Sequence, residues 1–376
     1  MSTTLAPRPT SGPAAPPPIR TSRRSFLTPR RRRTDVAGTV RVDQVITWLS
    51  VVNLVGVVGV MALLCMVSDE WWLSAALSFL PRAPWGIPAL VLLIASAFRA
   101  PWMILTNAAA LLVVAAPVMG FTTPAAAVPP ARDSAITVVS SNIQFGSGQP
   151  LKLGMEFDRL HPQILMLQEA HAGTETFTKQ LAGWSVVHVG EFLVASPHPV
   201  RLIEEFRFEP FERRAAILCE VALPSGPVRV CDTHLNTPRH AFGELHWHSP
   251  LTGAGIEAVT EFFALRKQEA AELRRFVEEG SAGLPVLIGG DFNTPAFSST
   301  LTTTWQGFTN TFEAAGFGYG YTSPCNTDSR WPHNTPWVRI DHIFAGPEWS
   351  VHEAGIGTTD GSDHRLIYSV VSPDRI

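Results

Sequence analysis

The sequence predicts an all-helical apolar region followed by an α/β domain, and three observations carry that prediction. Residues 45–121 contain long apolar runs, the first of them uncharged from Val45 to Val67, which is long enough to cross a bilayer. From residue 135 the texture changes to short strand-like runs alternating with segments of helical spacing, the pattern of an α/β domain. Charge divides the chain near the same place. Residues 1–130 hold eleven arginines, no lysine and four acids (Asp35, Asp43, Asp69, Glu70), a net of +7, so against −3 for the whole chain the remainder carries −10.

The first part divides further. Residues 1–41, rich in Pro, Ser, Thr and Arg and without apolar periodicity, read as a disordered basic arm. Within it Ser22-Arg23-Arg24-Ser25-Phe26-Leu27 has the look of a twin-arginine export signal. The apolar run starts far downstream, after Arg30–Arg33, so a plain basic arm is the better reading. Residues 42–121 read as a membrane region with about three transmembrane helices, Val45–Val67, Trp85–Phe98 and Trp102–Phe121. Pro81-Arg82-Ala83-Pro84 and Arg99-Ala100-Pro101 separate them, and Asp69, Glu70, Trp71 and Trp72 suit a membrane interface. The arginine-rich arm stays cytoplasmic under the positive-inside rule. Three crossings then place the rest of the chain outside the bacterial cytoplasmic membrane, and the short middle run decides the matter. Residues 122–134 are a Pro/Ala linker.

In residues 135–372, Ala135–Ser140, Ile164–Leu167, Val286–Ile288, Trp337–Phe344 and Leu366–Val371 read as strands. Arg214–Ala222 and Val228–His234 read as a hairpin closed by Pro224-Ser225-Gly226-Pro227. Leu151–Leu160 and Ile256–Glu279 have helical spacing. The four cysteines show no C-x-x-C spacing, which excludes a zinc knuckle or a thioredoxin motif. Cys65 reads as membrane packing. Cys219 and Cys231 lie at mirrored distances from the hairpin turn and either face each other or sit reduced in the core, the second reading being favoured.

The centre of this domain is Pro285-Val-Leu-Ile-Gly-Gly-Asp-Phe-Asn-Thr-Pro295. An apolar strand ends in paired glycines, which permit a tight turn, and Asp291 and Asn293 follow. Alone, G-D-x-N also describes an Asx turn. Its company is Ser141-Asn142-Ile143-Gln144, Gln168-Glu169, Asp232-Thr233-His234-Leu235-Asn236, Arg339-Ile340-Asp341-His342 and Gly361-Ser362-Asp363-His364-Arg365. Each of these follows or adjoins an apolar strand. Together they offer carboxylates, carboxamides and histidines, an oxygen-rich set suited to Mg²⁺, with Mn²⁺ as a substitute, rather than to zinc. Crowded carboxylates also need a cation to be tolerated. No G-x-S-x-G elbow, Walker loop or H-E-x-x-H is present.

The order S-N-x-Q, Q-E, D-T-H-x-N, G-D-F-N, R-I-D-H-I-F and G-S-D-H-R resembles the endonuclease/exonuclease/phosphatase superfamily, the DNase I-like enzymes, over about residues 135–372. The resemblance implies a four-layer α/β/β/α sandwich with the site at one edge of the paired sheets. It implies Glu169 as the main metal ligand with Asn142 beside it and Asp363 as a further site carboxylate. Asp291 would orient or deprotonate the attacking water, and Asn293 would hold a phosphate oxygen. His234 would contact the phosphate or assist the leaving group, and His364, oriented by Asp341, would stand at the scissile phosphate. Arg213 or Arg214 would supply a phosphate contact, with a surface charge as the plainer reading of each. His342, His246 and His248 read as rim residues.

Topology selects among phosphoesters. A basic N-terminus, three spans and an external domain resemble the bacterial membrane proteins associated with teicoplanin-type glycopeptide resistance. That implies a membrane-anchored phosphoesterase acting on a phosphorylated or pyrophosphorylated lipid of the cell envelope, with membrane lipids as its partners and no protein partner predicted. Trp331 and Trp337 would suit an apolar substrate, the membrane surface or a core edge. Two alternatives are a membrane-tethered extracellular nuclease and a non-catalytic phospholipid-binding module. The acidic balance of the domain disfavours nucleic acid, which needs a positive working face.

Overall fold

The computed structural model describes residues 33–124, 135–146, 149–245, 253–325, 333–358 and 361–374. In chain order its strands are β1 (Ile136–Asn142), β2 (Ile164–Gln168), β3 (Ser185–Val189), β4 (Phe192–Ser196), β5 (Val200–Phe208), β6 (Arg213–Leu223), β7 (Gly226–His234), β8 (Val286–Asp291), β9 (Thr309–Asn310), β10 (Asp341–Ala345), β11 (Trp349–Ile356) and β12 (Ile367–Pro373). They form two six-stranded sheets, ordered β11-β12-β1-β2-β4-β3 and β5-β6-β7-β8-β10-β9. Each sheet has one parallel pair, β1 with β2 and β7 with β8. Parallel neighbours need a crossover, which the helices Pro150–Leu160 and Ala254–Ser281 supply.

Alternation along the strands builds the layers. Ile136 and Val138 of β1, Ile164 and Met166 of β2, and Ile217, Cys219 and Val230 of the second sheet meet between the sheets. Val139, Leu165 and Leu167 point the other way, onto Leu153 and Phe157 of the first crossover helix. Leu218, Cys231 and Ile288 pack against Leu273 and Val277 of the second. The result is the expected α/β/β/α sandwich.

The favoured reading of the two hairpin cysteines as reduced core residues holds, while other sequence expectations change. Cys219 and Cys231 are free and lie on opposite faces of their sheet, because Cys219 pairs with Val230 and Cys231 with Leu218. One residue of offset in a period-2 strand separates the two thiols. Gly289 and Gly290 lie within β8 rather than in a turn. Gly290, at φ +150°, is where β8 passes so close to β7 that a Cβ would collide with the Thr233 carbonyl. The segment expected to be a strand from Trp337 is a strand only from Asp341. Strands β3, β4, β5, β9 and β11 were not expected at all.

In the N-terminal part a helix runs from Arg33 to Ala62, starting inside the segment read as disordered; residues 1–32, with the twin-arginine-like stretch, lie outside the described residues. Two helical stretches, Arg41–Glu70 and Pro101–Val118, are long and apolar enough to cross a membrane. A third candidate is the pair Trp72–Ser78 and Ala83–Arg99, bent by 94°. Buried Asn107 ties three helices together, its Nδ2 donating to Ser50 Oγ at 2.9 Å and Ser96 Oγ at 3.0 Å.

The helical region is latched to the sandwich beside the G-D-F-N loop. Asp69 accepts from Ser298 Oγ at 2.6 Å and from the backbone N–H of Ser299 at 2.9 Å, so it caps the helix Ser299–Thr304 from outside. Ala75 packs with Val259 and Phe263 of the long helix. Trp337 donates its indole N–H to the Phe79 carbonyl at 2.9 Å, which places it in this seam; Trp331 lies outside the described residues.

Candidate active site

Strand register brings the polar clusters to one edge. Asn142 pairs with Gln168, and Glu169 follows, so the ends of β1 and β2 emerge side by side. In the other sheet His234 pairs with Asp291 and Asp291 with Asp341. Asn142 bridges the two sheets, its Nδ2 lying 3.1 Å from Glu169 Oε1 and 3.1 Å from Asp291 Oδ2. Asp291 is 1% exposed, and its Oδ1 accepts the Asn293 backbone N–H at 2.9 Å.

Two imidazoles flank one carboxylate oxygen. His234 Nε2 and His364 Nε2 each lie 3.7 Å from Asp291 Oδ2. Behind each ring stands a second carboxylate: Glu191 Oε2 lies 2.9 Å from His234 Nδ1, and Asp341 Oδ2 lies 2.9 Å from His364 Nδ1. Burial opposes charge on His364, but the Asp341 and Asp291 carboxylates overcome it and hold its pKa well above the ordinary histidine value. Burial likewise opposes charge on His234, and its hydrogen bond to Glu191 together with the Asp291 charge raises its pKa. Burial would raise Glu191, yet the His234 hydrogen bond and charge and the Arg213 guanidinium bring it down to about 2. Both histidines are therefore biased toward the imidazolium.

Glu191 is the residue that sequence reasoning missed. It sits in the two-residue turn Gly190-Glu191 between β3 and β4, with Val189 paired to Phe192. Its signal was a Gly-X turn between two β-rich runs. Arg266 was missed as well, because it reads as one charge on a helix. It is buried and donates to the carbonyls of Asn236 (2.8 Å), Asn293 (2.9 Å) and Phe292 (2.9 Å), fixing the loop after β8.

The remaining residues separate by place. Asn293, at φ 47°, spends one amide N–H on the Leu235 carbonyl at 2.9 Å. Asp363 sits at the edge, with Ser362 Oγ at 3.3 Å from its carboxylate. Arg213 pairs with Glu191 and Arg214 with Glu205, each at 2.7 Å. Both line a cleft of about 460 Å³ together with Arg207, Glu169, Glu191 and His234. His342 is no rim residue. It is fully buried, bonded to the Thr294 carbonyl (2.9 Å) and Asn310 (3.3 Å), and burial with the Arg339 charge lowers its pKa to about 3. His246 and His248 lie outside the described residues.

The family model described as Endonuclease/Exonuclease/phosphatase family matches residues 139–364. The chain belongs to this family. No curated protein matches it. Similar solved structures include an endonuclease/exonuclease/phosphatase family protein from Bacteroides thetaiotaomicron (14% identity, 65% of this chain and 99% of that one, TM-score 0.49). The mannosyl-6-phosphatase Bt3783 of the same organism has 16% identity over 63% of this chain and 99% of its own, with TM-score 0.46. D. rerio TDP2 complexed with single strand DNA product has 16% identity over 64% of this chain and 100% of its own, with TM-score 0.47.

Members of the endonuclease/exonuclease/phosphatase family are phosphoester hydrolases that generally use divalent metals, and the donor set here fits one. Glu169 and Asp291 converge on a single amide nitrogen, and two carboxylates so close favour a cation between them. The tighter group Asp291, Asp341 and His364, with ligand-type atoms within 4.8 Å, is buried, and its His364 Nδ1 is already engaged by Asp341 at 2.9 Å. Glu169, half-buried and lining the cleft, is the better place for an ion. Ligation through Asn142 Oδ1 requires a half-turn of its amide, because that oxygen accepts the Gln144 N–H at 3.0 Å.

Proposed function

We propose that this protein is a membrane-anchored, Mg²⁺-dependent phosphoesterase that hydrolyses a phosphate ester or pyrophosphate of a lipid-linked cell-envelope substrate. The observation that carries the chemistry is Asp291 Oδ2 held between His234 and His364, each backed by a carboxylate. Glu169, helped by Asn142 and Asp363, would hold the ion. When bound, the ion neutralises charge on the phosphoryl oxygens.

Asp291 orients the attacking water and accepts its proton. His364 and His234 donate to the charge that grows on the phosphoryl and leaving oxygens. Asp341 and Glu191 fix the tautomer and orientation of those rings. Arg213 and Arg214 face incoming phosphate from the cleft wall, and Asn293 presents its second amide N–H.

The lipid assignment rests on the apolar helices and their latch to the sandwich, because a tethered site meets membrane substrates at high effective concentration. The sandwich faces the extracytoplasmic side in this reading. Trp102 Nε1 lies 3.2 Å from Thr47 Oγ1, so the turn before the last span packs near the start of the first, as three crossings require.

One observation favours a second reading, a tethered nuclease. The exposed Phe145 ring stacks on His171 at 4.8 Å beside Glu169, and such a platform suits a base. The test is the full chain in neutral-lipid nanodiscs with Mg²⁺, offered polyprenyl pyrophosphate or supercoiled plasmid, with EDTA as control. Phosphate release without nicking is the expected result; nicking alone replaces the lipid reading with the nuclease, and inactivity on both rejects the two together.

A further inference from the structure

The seam between the helical region and the sandwich encloses a second cavity of about 460 Å³ that shares no lining residue with the catalytic cleft. Two arginines line it. Arg82 is 2% exposed; its Nη1 donates to the Val118 carbonyl at 3.2 Å and its Nη2 to the Ser78 carbonyl at 3.3 Å, while Nε has no acceptor. Its guanidinium stacks 4.2 Å over Phe297, and among the described residues it pairs with no carboxylate. Arg339 is 3% exposed and pairs with Glu313 through Nη2, while its Nε and Nη1 have no acceptor. A buried cation without a partner is costly, and so is a buried N–H without an acceptor. Two cations face one half-exposed carboxylate here, so the cavity lacks a negative charge.

The other walls indicate where that charge comes from. Tyr319, Tyr321, Phe121 and Phe297 give an aromatic lining. Cys65 belongs to the end of the stretch Arg41–Glu70, and Ala116 and Pro117 to the end of Pro101–Val118, so both candidate spans terminate at this cavity. In the membrane-anchored reading, span ends lie at the depth of lipid headgroups. Guanidinium forks bind phosphate oxygens well.

We propose that this cavity is a non-catalytic oxyanion site that takes a phosphate group, carried by a lipid headgroup or free in solution, between Arg82 and Arg339. The site stands whether or not the catalytic reading does. It also touches the catalytic frame from behind: Arg339 lies two residues before Asp341, and Tyr321 two before Ser323, whose Oγ is 3.3 Å from His364 Nε2.

The test is thermal unfolding of the full chain in nanodiscs with EDTA present, which removes metal-dependent phosphate binding at the cleft. One arm adds inorganic phosphate to phosphatidylcholine discs, and the other uses discs containing phosphatidic acid. A ligand that binds only the folded state raises Tm, here by about 3 °C or more at saturation. A rise with phosphate supports the site with a free oxyanion as ligand, and a rise only with phosphatidic acid supports it with a headgroup. Arg82→Met should abolish the rise. Thr302→Glu, on the cavity wall, should supply the missing carboxylate, raising Tm without ligand and removing the response to both additions. No rise in either arm, or an undiminished rise in both variants, overturns the proposal.

Discussion

The two histidine–carboxylate pairs beside Asp291 look alike but are built differently. Asp341 opens β10 in one sheet and His364 lies just before β12 in the other, and both are buried. His234 ends β7 and its carboxylate likewise arrives from the other sheet, on the turn between β3 and β4, but this carboxylate is shared with Arg213 in the open cleft. The first pair is a closed unit that fixes charge at the Asp291 centre. The second belongs partly to the cleft wall, so its strength depends on what the cleft holds.

The largest separation between them should appear in turnover. His364→Ala removes a buried imidazolium that faces two carboxylates, and kcat for phosphate release should fall by about 10²–10⁴-fold. If His234→Ala costs more than His364→Ala in the same assay, the ranking of the pairs is wrong. Glu191→Gln should cost about 10–100-fold, the size of effect seen when a supporting partner is lost, and the loss should grow in the absence of Arg213. Away from the pairs, Asp69→Ala removes the cap on the helix Ser299–Thr304 and should lower stability by about 1–2 kcal/mol, read as Tm in detergent, while kcat changes less than the histidine variants do.

The smallest effect concerns buried Asp232, whose pKa lies well above the carboxylate range because burial penalises its charged form, despite a hydrogen bond from Gln168. A group whose folded pKa is raised favours the folded state at low pH and loses that contribution as pH climbs above the unfolded value. Asp232→Asn should therefore raise Tm at pH 8, by about a few degrees, with the gain shrinking toward pH 4. A gain that grows on acidification contradicts a neutral Asp232.

The same contrast explains what the sequence disclosed. Asp291, His364, Asp341, His234, Glu169 and Asn142 each sit at or beside a strand end with a local pattern around them; register aligns them within each sheet, and the stacking of the two sheets brings both groups to one edge. Glu191 has no such pattern: it sits in a two-residue turn between two strands that were themselves unexpected, and only sheet stacking sets it against His234. Arg266 is invisible for the same reason: its three carbonyl partners lie 26 to 30 residues away in sequence. The paired glycines suggest a turn but lie within β8, where Gly290 lets the strand pass close to the Thr233 backbone. The layered fold was legible through alternation, whereas β3, β4, β5, β9 and β11 were not, and the β3–β4 turn held the missing carboxylate.

The most direct test of the Asp291 centre compares the wild-type chain with Asp291→Asn, a near-isosteric change, in a phosphate-release assay on polyprenyl pyrophosphate across a Mg²⁺ titration. Wild-type release should vanish in EDTA and return with Mg²⁺, while Asp291→Asn should stay at least about 10³-fold slower at every Mg²⁺ concentration with its Tm unchanged or higher. Turnover by Asp291→Asn within tenfold of wild type, or wild-type release that survives EDTA, would contradict the account.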